Sequence, residues 1–329
     1  MAGRAWTHPE LVDGVLAGDR RALARAITLI EDRGPAGAAV VRDIYAKTGR
    51  TTAIGVTGPP GVGKSSLVAA LVRHARGLGK SVGVISVDPS SPFSHGALLG
   101  DRIRLAEHFL DPGVYIRSMG TRGHLGGLAE ATLQALLLLD AAGKDVVFLE
   151  TVGTGQSEVE VIGIADVVLL VLMPGSGDSV QALKAGIMEI PDVVAVNKLD
   201  LPGAKSMVMD VRSVIALDPD TQARPTVLLT EALRGDGIEE LWQALELRLG
   251  VLQERGDLEA RRQRNLRGEV IGLATARLRE RLTSLVADDP AVRALVDAVT
   301  RRELDPLSAV GELIELVFDA EGDGAPVAR

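Results

Sequence analysis

A glycine-rich loop near residue 60 restricts the possible folds of this chain more than any other feature. Its sequence, Gly58-Pro59-Pro60-Gly61-Val62-Gly63-Lys64-Ser65, fits the pattern G-x-x-x-x-G-K-[ST]. The apolar stretch Ala53–Thr57 comes directly before it, and helical spacing of apolar residues begins at Lys64. In such a loop, glycines let the backbone wrap around a phosphate, and the helix N-terminus adds N–H donors and a favourable dipole. The pattern predicts a phosphate-binding loop between a strand and a helix.

Two side chains of this loop have predicted tasks of their own. Lys64 is expected to reach the β and γ phosphates of a nucleotide, and the Ser65 hydroxyl is expected to bind Mg²⁺. A glycine turn with a chance lysine is the alternative, and the strand before the loop and the helix after it argue against that. The predicted nucleotide contacts of this segment are Gly58, Gly61, Val62, Gly63, Lys64, Ser65 and Ser66.

From residue 52 to residue 250, short apolar runs rich in β-branched residues alternate with helical stretches. The runs are Ala53–Thr57, Ser81–Val87, Val114–Arg117, Asp145–Glu150, Asp166–Leu172, Val193–Asn197 and Thr226–Leu229. This alternation predicts an α/β fold whose mostly parallel sheet carries helices on both faces and binds ligands beyond the carboxyl ends of its strands. We expect a helical extension over 1–50 with a break at Gly34-Pro35, a nucleotide-binding domain over 51–250 and a helical arm over 251–329.

A second motif, Asn197-Lys198-Leu199-Asp200, follows the apolar run that begins at Val193. The Asp200 carboxylate can accept hydrogen bonds from guanine N1–H and from the exocyclic amine of guanine. Adenine has neither donor there, so its binding would leave the carboxylate without a partner, and polar sites of this type discriminate strongly. Together with the phosphate loop, this motif predicts a P-loop GTPase that binds GTP and GDP and hydrolyses GTP.

Residues near Asp200 are predicted to complete the site that binds the guanine base, called the base site below. The Lys198 stem can pack on the base face, and Asn197 can brace the loop. A third contact to the base would come from a backbone N–H in Thr230-Glu231-Ala232, which follows the next strand. Glu231 and Ala232 therefore complete the predicted nucleotide site.

Three acids are placed where a magnesium shell could form. Asp88 and Glu150 end apolar runs, and Asp101 lies in a long loop. Glu150 also opens Glu150-Thr151-Val152-Gly153, which is similar to the D-x-x-G of GTPases. Mg²⁺ uses carboxylates sparingly and often through water, so these acids and the loop serine are the candidate metal ligands; a helix cap or a solvated loop charge is the alternative for each acid. Thr154 occupies the place of the water-orienting glutamine of Ras-like enzymes, which predicts slow intrinsic hydrolysis.

Composition restricts the environment and the partners. The formal net charge of −8 makes nucleic acid or an anionic membrane a poor default partner. The chain has no cysteine, which excludes disulfides, thiolate metal sites and cysteine nucleophiles. The apolar runs are too short to span a bilayer and residues 1–10 lack a signal-peptide pattern, so we expect a cytoplasmic protein. Arginines between residues 261 and 281 are interleaved with glutamates, which favours a salt-bridged helix face or a dimer surface over a nucleic-acid site.

With these motifs in place, the sequence resembles the MeaB (ArgK-type) family of G-protein metallochaperones. Beyond the phosphate loop, the matching runs are Val87–Pro92, Leu99–Arg102, Leu125–Gly127, Glu150–Glu158 and Gly177–Gly186. The resemblance covers roughly residues 10 to 250 in order, and a helical C-terminal arm follows as in the family. It implies a GTPase that assists adenosylcobalamin-dependent acyl-CoA mutases such as methylmalonyl-CoA mutase. In that role it gates cofactor loading from an adenosyltransferase and protects or reactivates the mutase.

The resemblance also implies roles for particular residues. The phosphate and magnesium site of the family corresponds to Lys64, Ser65, Asp88, Asp101 and Glu150. The candidate catalytic residues are Lys64, Glu150 and Arg104, and the family residue that matches Arg104 is implicated near the nucleotide. The third switch, which couples hydrolysis to the mutase, corresponds to Asp178–Met188 and includes Asp178, Gln181 and Lys184. The C-terminal arm of the family makes a homodimer.

The chain departs from the family pattern at two positions and leaves two other functions open. His95 stands where Gly is usual in the first switch region, and Glu231 stands where Ser is usual. A nickel-type metallochaperone GTPase is one alternative; it would need His and Cys ligands, and the chain has five histidines, of which His95 and His124 lie in loops. A nucleotide-dependent kinase is the other, and the guanine motif argues against an ATP-dependent one.

Overall fold

The computed structural model describes residues 6–32, 34–88, 105–120, 127–151, 163–175, 191–217 and 224–319. The chain forms two compact units, Met1–Glu269 and Val270–Arg329. The first unit contains the sheet and both nucleotide motifs.

A parallel sheet forms the centre of the first unit. Its strands are β1 (Thr52–Thr57), β2 (Val82–Asp88), β3 (Val114–Gly120), β4 (Val146–Thr151), β5 (Val167–Leu172), β6 (Val193–Val196) and β7 (Thr226–Leu229). These seven described strands pair in the order β3-β2-β4-β1-β5-β6-β7, and all their pairings are parallel. Every residue of β4, β5 and β6 is buried, as expected for strands covered on both faces. The predicted α/β fold with a parallel sheet is confirmed.

Helices cover both faces of this sheet. They are α1 (His8–Leu16), α2 (Arg20–Glu31), α3 (Pro35–Ile44), α4 (Lys64–Gly77), α5 (Gly127–Ala141), α6 (Ala204–Ile215) and α7 (Ile238–Glu254), with 3-10 helices at Tyr45–Lys47 and Ala106–His108. On one face α4 and α7 pack in a buried cluster with Phe148 and Trp242. On the other face α1, α2, α3 and α5 share a cluster with Leu139 and Leu149. Phe148 and Leu149 are neighbours in β4, so consecutive side chains of this strand point to opposite faces of the sheet, as in any pleated strand.

The N-terminal helices break at a place that the sequence pattern does not predict. Apolar spacing runs from Leu11 to Ile30 without interruption, but the structure has two helices there. Gly18 adopts φ +71°, and the Asp19 carboxylate caps α2 by accepting the Arg21 and Ala22 N–H groups, both at 2.8 Å. An aspartate at this position satisfies N–H groups that have no partner inside the helix, so a new helix begins there.

The core of the first unit continues past residue 250. Helix α7 ends at Glu254, and both Leu252 and Leu258 are buried in the cluster that contains Trp242. Leu258 belongs to α8 (Asp257–Asp288), whose first turns are thus part of this unit.

Ion pairs attach the first turns of α8 to the sheet. Arg261 Nη1 lies 2.6 Å from Asp192 Oδ2, and Arg262 Nε lies 2.7 Å from Asp166 Oδ1. Arg248 of α7 also pairs with Asp192, at 2.9 Å. Asp166 and Asp192 directly precede β5 and β6, so these buried carboxylates fix the helices at the amino ends of the strands. Of the arginines between residues 261 and 281, Arg261 and Arg262 therefore have salt-bridge partners.

The second unit is helical. It contains the part of α8 from Val270 onward, followed by α9 (Pro290–Thr300) and α10 (Pro306–Asp319). Asp289 caps α9 by accepting the Ala291 N–H at 2.8 Å. Several apolar side chains of this unit are exposed, including Ile271, Leu307 and Ile314. Among the described helices of the chain, none is both long enough and apolar enough to cross a membrane.

Candidate nucleotide-binding site

The phosphate loop follows β1 and lies against the end of β5. Gly58 has φ +141°, and a Cβ atom there would be 2.1 Å from the Val171 carbonyl oxygen. Gly63 has φ +95°, and a Cβ atom there would be 2.6 Å from Asn197 Nδ2. Gly61, between them, has φ +78°. At Gly58 and Gly63 both the backbone conformation and the available space exclude a side chain, so these glycines let the loop close against its neighbours.

Lys64 begins α4, and its side chain folds back across the loop. The residue is 6 % exposed, and Nζ donates to the Gly58 carbonyl at 2.5 Å and to the Pro59 carbonyl at 3.0 Å. Charged acceptors make stronger hydrogen bonds than neutral ones, so phosphate oxygens are better partners for this ammonium than the two carbonyls. The half-buried Ser66 lies in the first turn of the same helix.

Ser65 and Glu150 are brought together by α4 and β4. The Ser65 hydroxyl donates to Glu150 Oε1 at 2.6 Å, and Ser86 Oγ donates to Glu150 Oε2 at 3.4 Å. Glu150 is 3 % exposed, and Ser86 stands beside it in register on β2. Hydroxyl and carboxylate oxygens are the hard ligands that Mg²⁺ prefers, so the chemistry of this donor set fits that ion.

The remaining predicted acids and switch residues are only partly covered by the structure. The backbone of Asp88 ends β2 and pairs in register with Gly120 of β3. Outside the described residues lie Asp101, Arg104, Thr154, Asp178, Gln181, Lys184, His95 and His124. Within the described ranges, no group of three or more His, Cys, Asp or Glu side chains is arranged to hold a metal ion.

Asn197 joins the phosphate loop to the base loop, which is the segment Asn197–Asp200 predicted to bind guanine. It follows β6 and is 2 % exposed. Its Nδ2 donates to the Val62 carbonyl at 2.9 Å, while its Oδ1 accepts the Thr230 hydroxyl and the Ala232 N–H, both at 3.2 Å. One buried amide therefore connects three loops, each of which follows a different strand.

Lys198 connects the same two loops from the solvent side. Its backbone adopts φ +62°, an uncommon conformation for a residue with a side chain. Its Nζ donates to the Gly61 carbonyl at 2.9 Å, which stretches the aliphatic stem from the base motif to the phosphate loop. Asp200, two residues further along the chain, is exposed.

Glu231 lies next to Asp200 in the base site. It is buried, with 6 % of its surface exposed. The hydrogen bond with Asp200 raises the pKa of Glu231 above its ordinary value, and burial and the charge of Asp200 raise it further.

Two polar contacts of the site were not predicted from the sequence. Ser86 contacts Glu150, and Thr230 contacts Asn197. Ser86 is 4 % exposed and Thr230 is fully buried, although both belong to or follow apolar strands. A polar residue near the carboxyl end of an apolar strand is the sequence signal that could have identified them.

A phosphate loop that shares a buried asparagine with a base loop, at the carboxyl edge of a parallel sheet, is the arrangement of a P-loop GTPase. Comparison with known proteins agrees with this class and narrows it. The chain belongs to the MeaB family, whose profile, described as methylmalonyl-CoA mutase-associated GTPase MeaB, matches residues 23–287. The resemblance noted in the sequence is thereby confirmed.

Similar proteins extend over most of the chain. A putative GTPase of Pyrococcus abyssi is 42 % identical over 313 residues, covering 94 % of this chain and 96 % of its own. A Caenorhabditis elegans protein named methylmalonic aciduria type A homolog, mitochondrial, is 37 % identical over 274 residues, covering 77 % of this chain and 69 % of its own. The crystal structure of an LAO/AO transport system kinase has a TM-score of 0.70 at 28 % identity, covering 96 % of this chain and 99 % of that one. The chain is a GTPase, as the sequence predicted.

Proposed function

We propose that this GTPase is a chaperone of an adenosylcobalamin-dependent acyl-CoA mutase, either methylmalonyl-CoA mutase or a related enzyme. The support is membership of a family described by its association with methylmalonyl-CoA mutase, and similarity to a protein named for methylmalonic aciduria. In this role, GTP binding and hydrolysis gate adenosylcobalamin loading, with an adenosyltransferase as a further partner, and protect or reactivate the mutase. For the nucleotide chemistry, the observation that carries the proposal is the single amide of Asn197 that joins the phosphate and base loops.

On the phosphate side, the proposed chemistry rests on Lys64, Ser65 and Glu150. The Lys64 ammonium exchanges its two loop carbonyls for β and γ phosphate oxygens and stabilises the charge that develops during cleavage. The Ser65 hydroxyl, which is hydrogen-bonded to Glu150 in the structure, would bind Mg²⁺, and Glu150, Asp88 and Asp101 would hold the ion directly or through water. Mg²⁺, when bound, neutralises charge on the phosphate oxygens.

On the base side, Asp200 is the proposed reader of guanine. Its exposed carboxylate can accept from N1–H and from the exocyclic amine, while the stem of Lys198 packs against the ring. The Ala232 N–H, which donates to Asn197, is placed in the loop where a third contact to the base is proposed. Because adenine offers no donors to Asp200, GTP and GDP should bind far more tightly than ATP and ADP.

Hydrolysis is proposed to be slow until the mutase binds. Thr154 cannot orient water as the usual glutamine does, so a partner would have to order the missing groups. We place that task on Arg104 and on the third switch, Asp178–Met188, with Gln181 and Lys184 as the coupling residues. An ordered arginine raises phosphoryl-transfer rates by about 10³ to 10⁵ in other GTPases.

A homodimer is the proposed assembly, with the helical arm as its interface. The second unit has several exposed apolar side chains, and a second copy of the chain that covered them would remove them from water. They include Ile271, Leu307 and Ile314, which are 66 %, 85 % and 52 % exposed.

Steady-state GTP turnover, measured with and without methylmalonyl-CoA mutase, tests the chaperone role. We expect the mutase to accelerate turnover of the wild type, because it completes the catalytic arrangement. The double variant Gln181→Ala, Lys184→Ala should keep its nucleotide affinity but lose most of the acceleration. A matched control is Gln243→Ala, Lys47→Ala, which removes the same residue types at exposed positions outside the nucleotide site and should behave like the wild type.

The mutase role is contradicted if the mutase leaves wild-type turnover unchanged and binds the GDP and GTP forms equally. The role of the third switch is contradicted if both double variants respond to the mutase as the wild type does. The GTPase assignment survives either result, because it rests on the nucleotide site and on the family.

A second candidate activity is phosphoryl transfer to an acceptor other than water, because a similar solved structure is named as a transport system kinase. Released phosphate should equal GTP consumed if water is the acceptor. A shortfall of phosphate, with labelled γ-phosphate recovered on another molecule, would favour the kinase.

A further inference from the structure

A cavity of about 370 Å³ lies in the first unit at the amino edge of the sheet. Thr51 and Ala53, at the start of β1, and Asp166, directly before β5, line it there. The 3-10 helix Tyr45–Lys47, α5 and the first turns of α8 supply most of the other lining residues. Pockets that bind small molecules have volumes of about 300–1,000 Å³, so this cavity is large enough for one. It lies at the opposite edge of the sheet from the phosphate and base loops, and is therefore separate from the nucleotide site.

The lining of this amino-edge cavity is mainly apolar. Leu133, Leu136 and Leu137 line it from successive turns of α5, and Ile164 and Leu266 add to the same lining. Leu133 and Leu137 are half-buried, and Leu266 is 38 % exposed. Apolar surface is therefore left in contact with water, and a bound apolar molecule would cover it.

Three charged side chains of the lining hold one another and the backbone. Asp140 accepts three backbone N–H groups of the segment 49–51, at 2.5, 3.2 and 3.1 Å. Arg262 donates to both carboxylate oxygens of Asp166, each at 2.7 Å, and to two carbonyls of the same segment at 3.1 and 3.0 Å. The lining thus has two carboxylates and one guanidinium that is already paired. A bound anion would find no free cation there, and an unpaired charge in an apolar site is strongly disfavoured, so a neutral ligand fits best.

Two polar side chains of the lining have unused hydrogen-bonding capacity. Neither the Tyr45 hydroxyl nor the Asn265 amide makes a hydrogen bond within the described part of the chain. Tyr45 is 51 % exposed, whereas Asn265 is half-buried and follows Arg262 by about one turn of α8. An amide both donates and accepts, so Asn265 can bind the hydroxyl, amide or carbonyl group of a neutral ligand.

We propose that the amino-edge cavity is a second ligand site, which takes a compact, neutral and mainly apolar molecule with one hydrogen-bonding group, such as a phenol. The apolar part of the molecule covers the leucines of α5, and its polar group bonds to the Asn265 amide. Because the molecule contacts α5, α8 and the segment before β1 together, its binding stabilises the folded first unit. The site is additional to the GTPase activity and to the proposed role with a mutase.

The test is isothermal titration calorimetry of the whole chain with 2-naphthol at about pH 7, where a phenol is neutral. The matched control is 2-naphthoate, which has the same ring system but is ionised at this pH. We expect 2-naphthol to bind once per chain and to raise the temperature of unfolding. The naphthoate should bind at least about tenfold more weakly, since its charge would enter an apolar cavity without a partner. Saturating GDP should leave the affinity for 2-naphthol unchanged, because the two sites lie at opposite edges of the sheet.

Substitutions in the lining locate the binding. Leu133→Trp places a larger side chain in the cavity and should weaken 2-naphthol binding about tenfold or more, since the ligand would have to displace it. Asn265→Leu removes the polar partner and should weaken binding about two- to tenfold. The matched control is Leu247→Trp, at a position of α7 that is 69 % exposed and outside the cavity, which should bind as the wild type does. The temperature of unfolding without ligand verifies that each variant folds, and Leu137→Trp takes the place of Leu133→Trp if that variant does not.

Several results would overturn the second ligand site. One is 2-naphthoate binding as tightly as 2-naphthol, and another is undiminished binding of 2-naphthol to the folded tryptophan variant of α5. Displacement of 2-naphthol by GDP would place it in the nucleotide site instead. Sedimentation of the same samples detects a second copy of the chain, and binding that disappears as the chain dimerises would mean that the partner covers the cavity.

Discussion

Replacing Gly58 with alanine should destabilise the first unit much more than the same change at Gly61. Strands β1 and β5 are paired up to Thr57 and Leu170, so the backbone on either side of Gly58 has little freedom to move. An alanine Cβ at this position would lie 2.1 Å from the Val171 carbonyl oxygen, in addition to requiring φ +141°. At Gly61, φ is +78° but a Cβ atom would meet no other atom within 4 Å.

The magnitude of the difference has two contributions. A conformation that only glycine tolerates costs another residue about 1–3 kcal/mol. Overlap with atoms that cannot shift costs about 1–3 kcal/mol more, by comparison with overpacked cores. Gly58→Ala should therefore lower the free energy of unfolding by about 2–6 kcal/mol, and Gly61→Ala by about 1–2 kcal/mol, the cost of the left-handed conformation alone.

Urea unfolding of the nucleotide-free protein measures this difference. Both tryptophans, Trp6 and Trp242, belong to the first unit, so tryptophan fluorescence follows the unfolding of that unit. Equal losses of stability in the two variants would mean that the close approach of Gly58 to Val171 contributes nothing, contrary to the expectation. A larger loss at Gly61 would contradict it more strongly.

Two further substitutions test the site and the ion pairs. Lys64→Ala should abolish single-turnover GTP cleavage while the far-ultraviolet circular dichroism spectrum stays unchanged, because the ammonium is proposed to contact the phosphates where charge develops; undiminished cleavage by the folded variant would remove Lys64 from the mechanism. Asp192→Ala should lower the free energy of unfolding by about 3–5 kcal/mol, because it leaves two partly buried arginines without their carboxylate. Asp43→Ala, which breaks an exposed pair with His8, should cost less than about 1 kcal/mol, and similar urea midpoints for both aspartate variants would contradict the difference.

The sheet and its loops could be predicted from the sequence because their signals are local. Apolar runs such as Thr226–Leu229 coincide with strands, and the glycine spacing of the phosphate loop specifies a strand, a turn and a helix in succession. The break at Gly18 and Asp19 is also local, but the apolar spacing continues in phase across it. The capping signal of Asp19 is present in the sequence, and the regular apolar pattern conceals it.

Contacts between distant segments could not be predicted in the same way. Ser86 reaches Glu150 because β2 and β4 are neighbours in the sheet. Asn197 reaches Val62 because the segments that follow β6 and β1 both lie at the carboxyl edge of the sheet. The pairing of Arg262 with Asp166 joins residues 96 positions apart in the sequence. The arginines between residues 261 and 281 predicted salt bridges, but not their partners. Those partners depend on which strands begin next to the first turns of α8.

The two acids of the predicted base site, Asp200 and Glu231, show the same limit. The sequence identified both positions, and the departure from serine at Glu231 was visible. The burial of Glu231 and the exposure of Asp200 depend on the fold, and neither residue type implies them by itself.

Guanine recognition by Asp200 is tested most directly by nucleotide selectivity in the wild type and in Asp200→Asn, titrated with GDP, ADP and xanthosine diphosphate. We expect the wild type to bind GDP far more tightly than the other two, because only guanine presents two donors to the carboxylate. Asparagine loses one acceptor and gains a donor, so the variant should bind GDP more weakly and xanthosine diphosphate, which has an oxygen in place of the amine, more tightly. Equal affinity of the wild type for GDP and ADP, or an unchanged order of affinities in the variant, would contradict the base-reading role of Asp200.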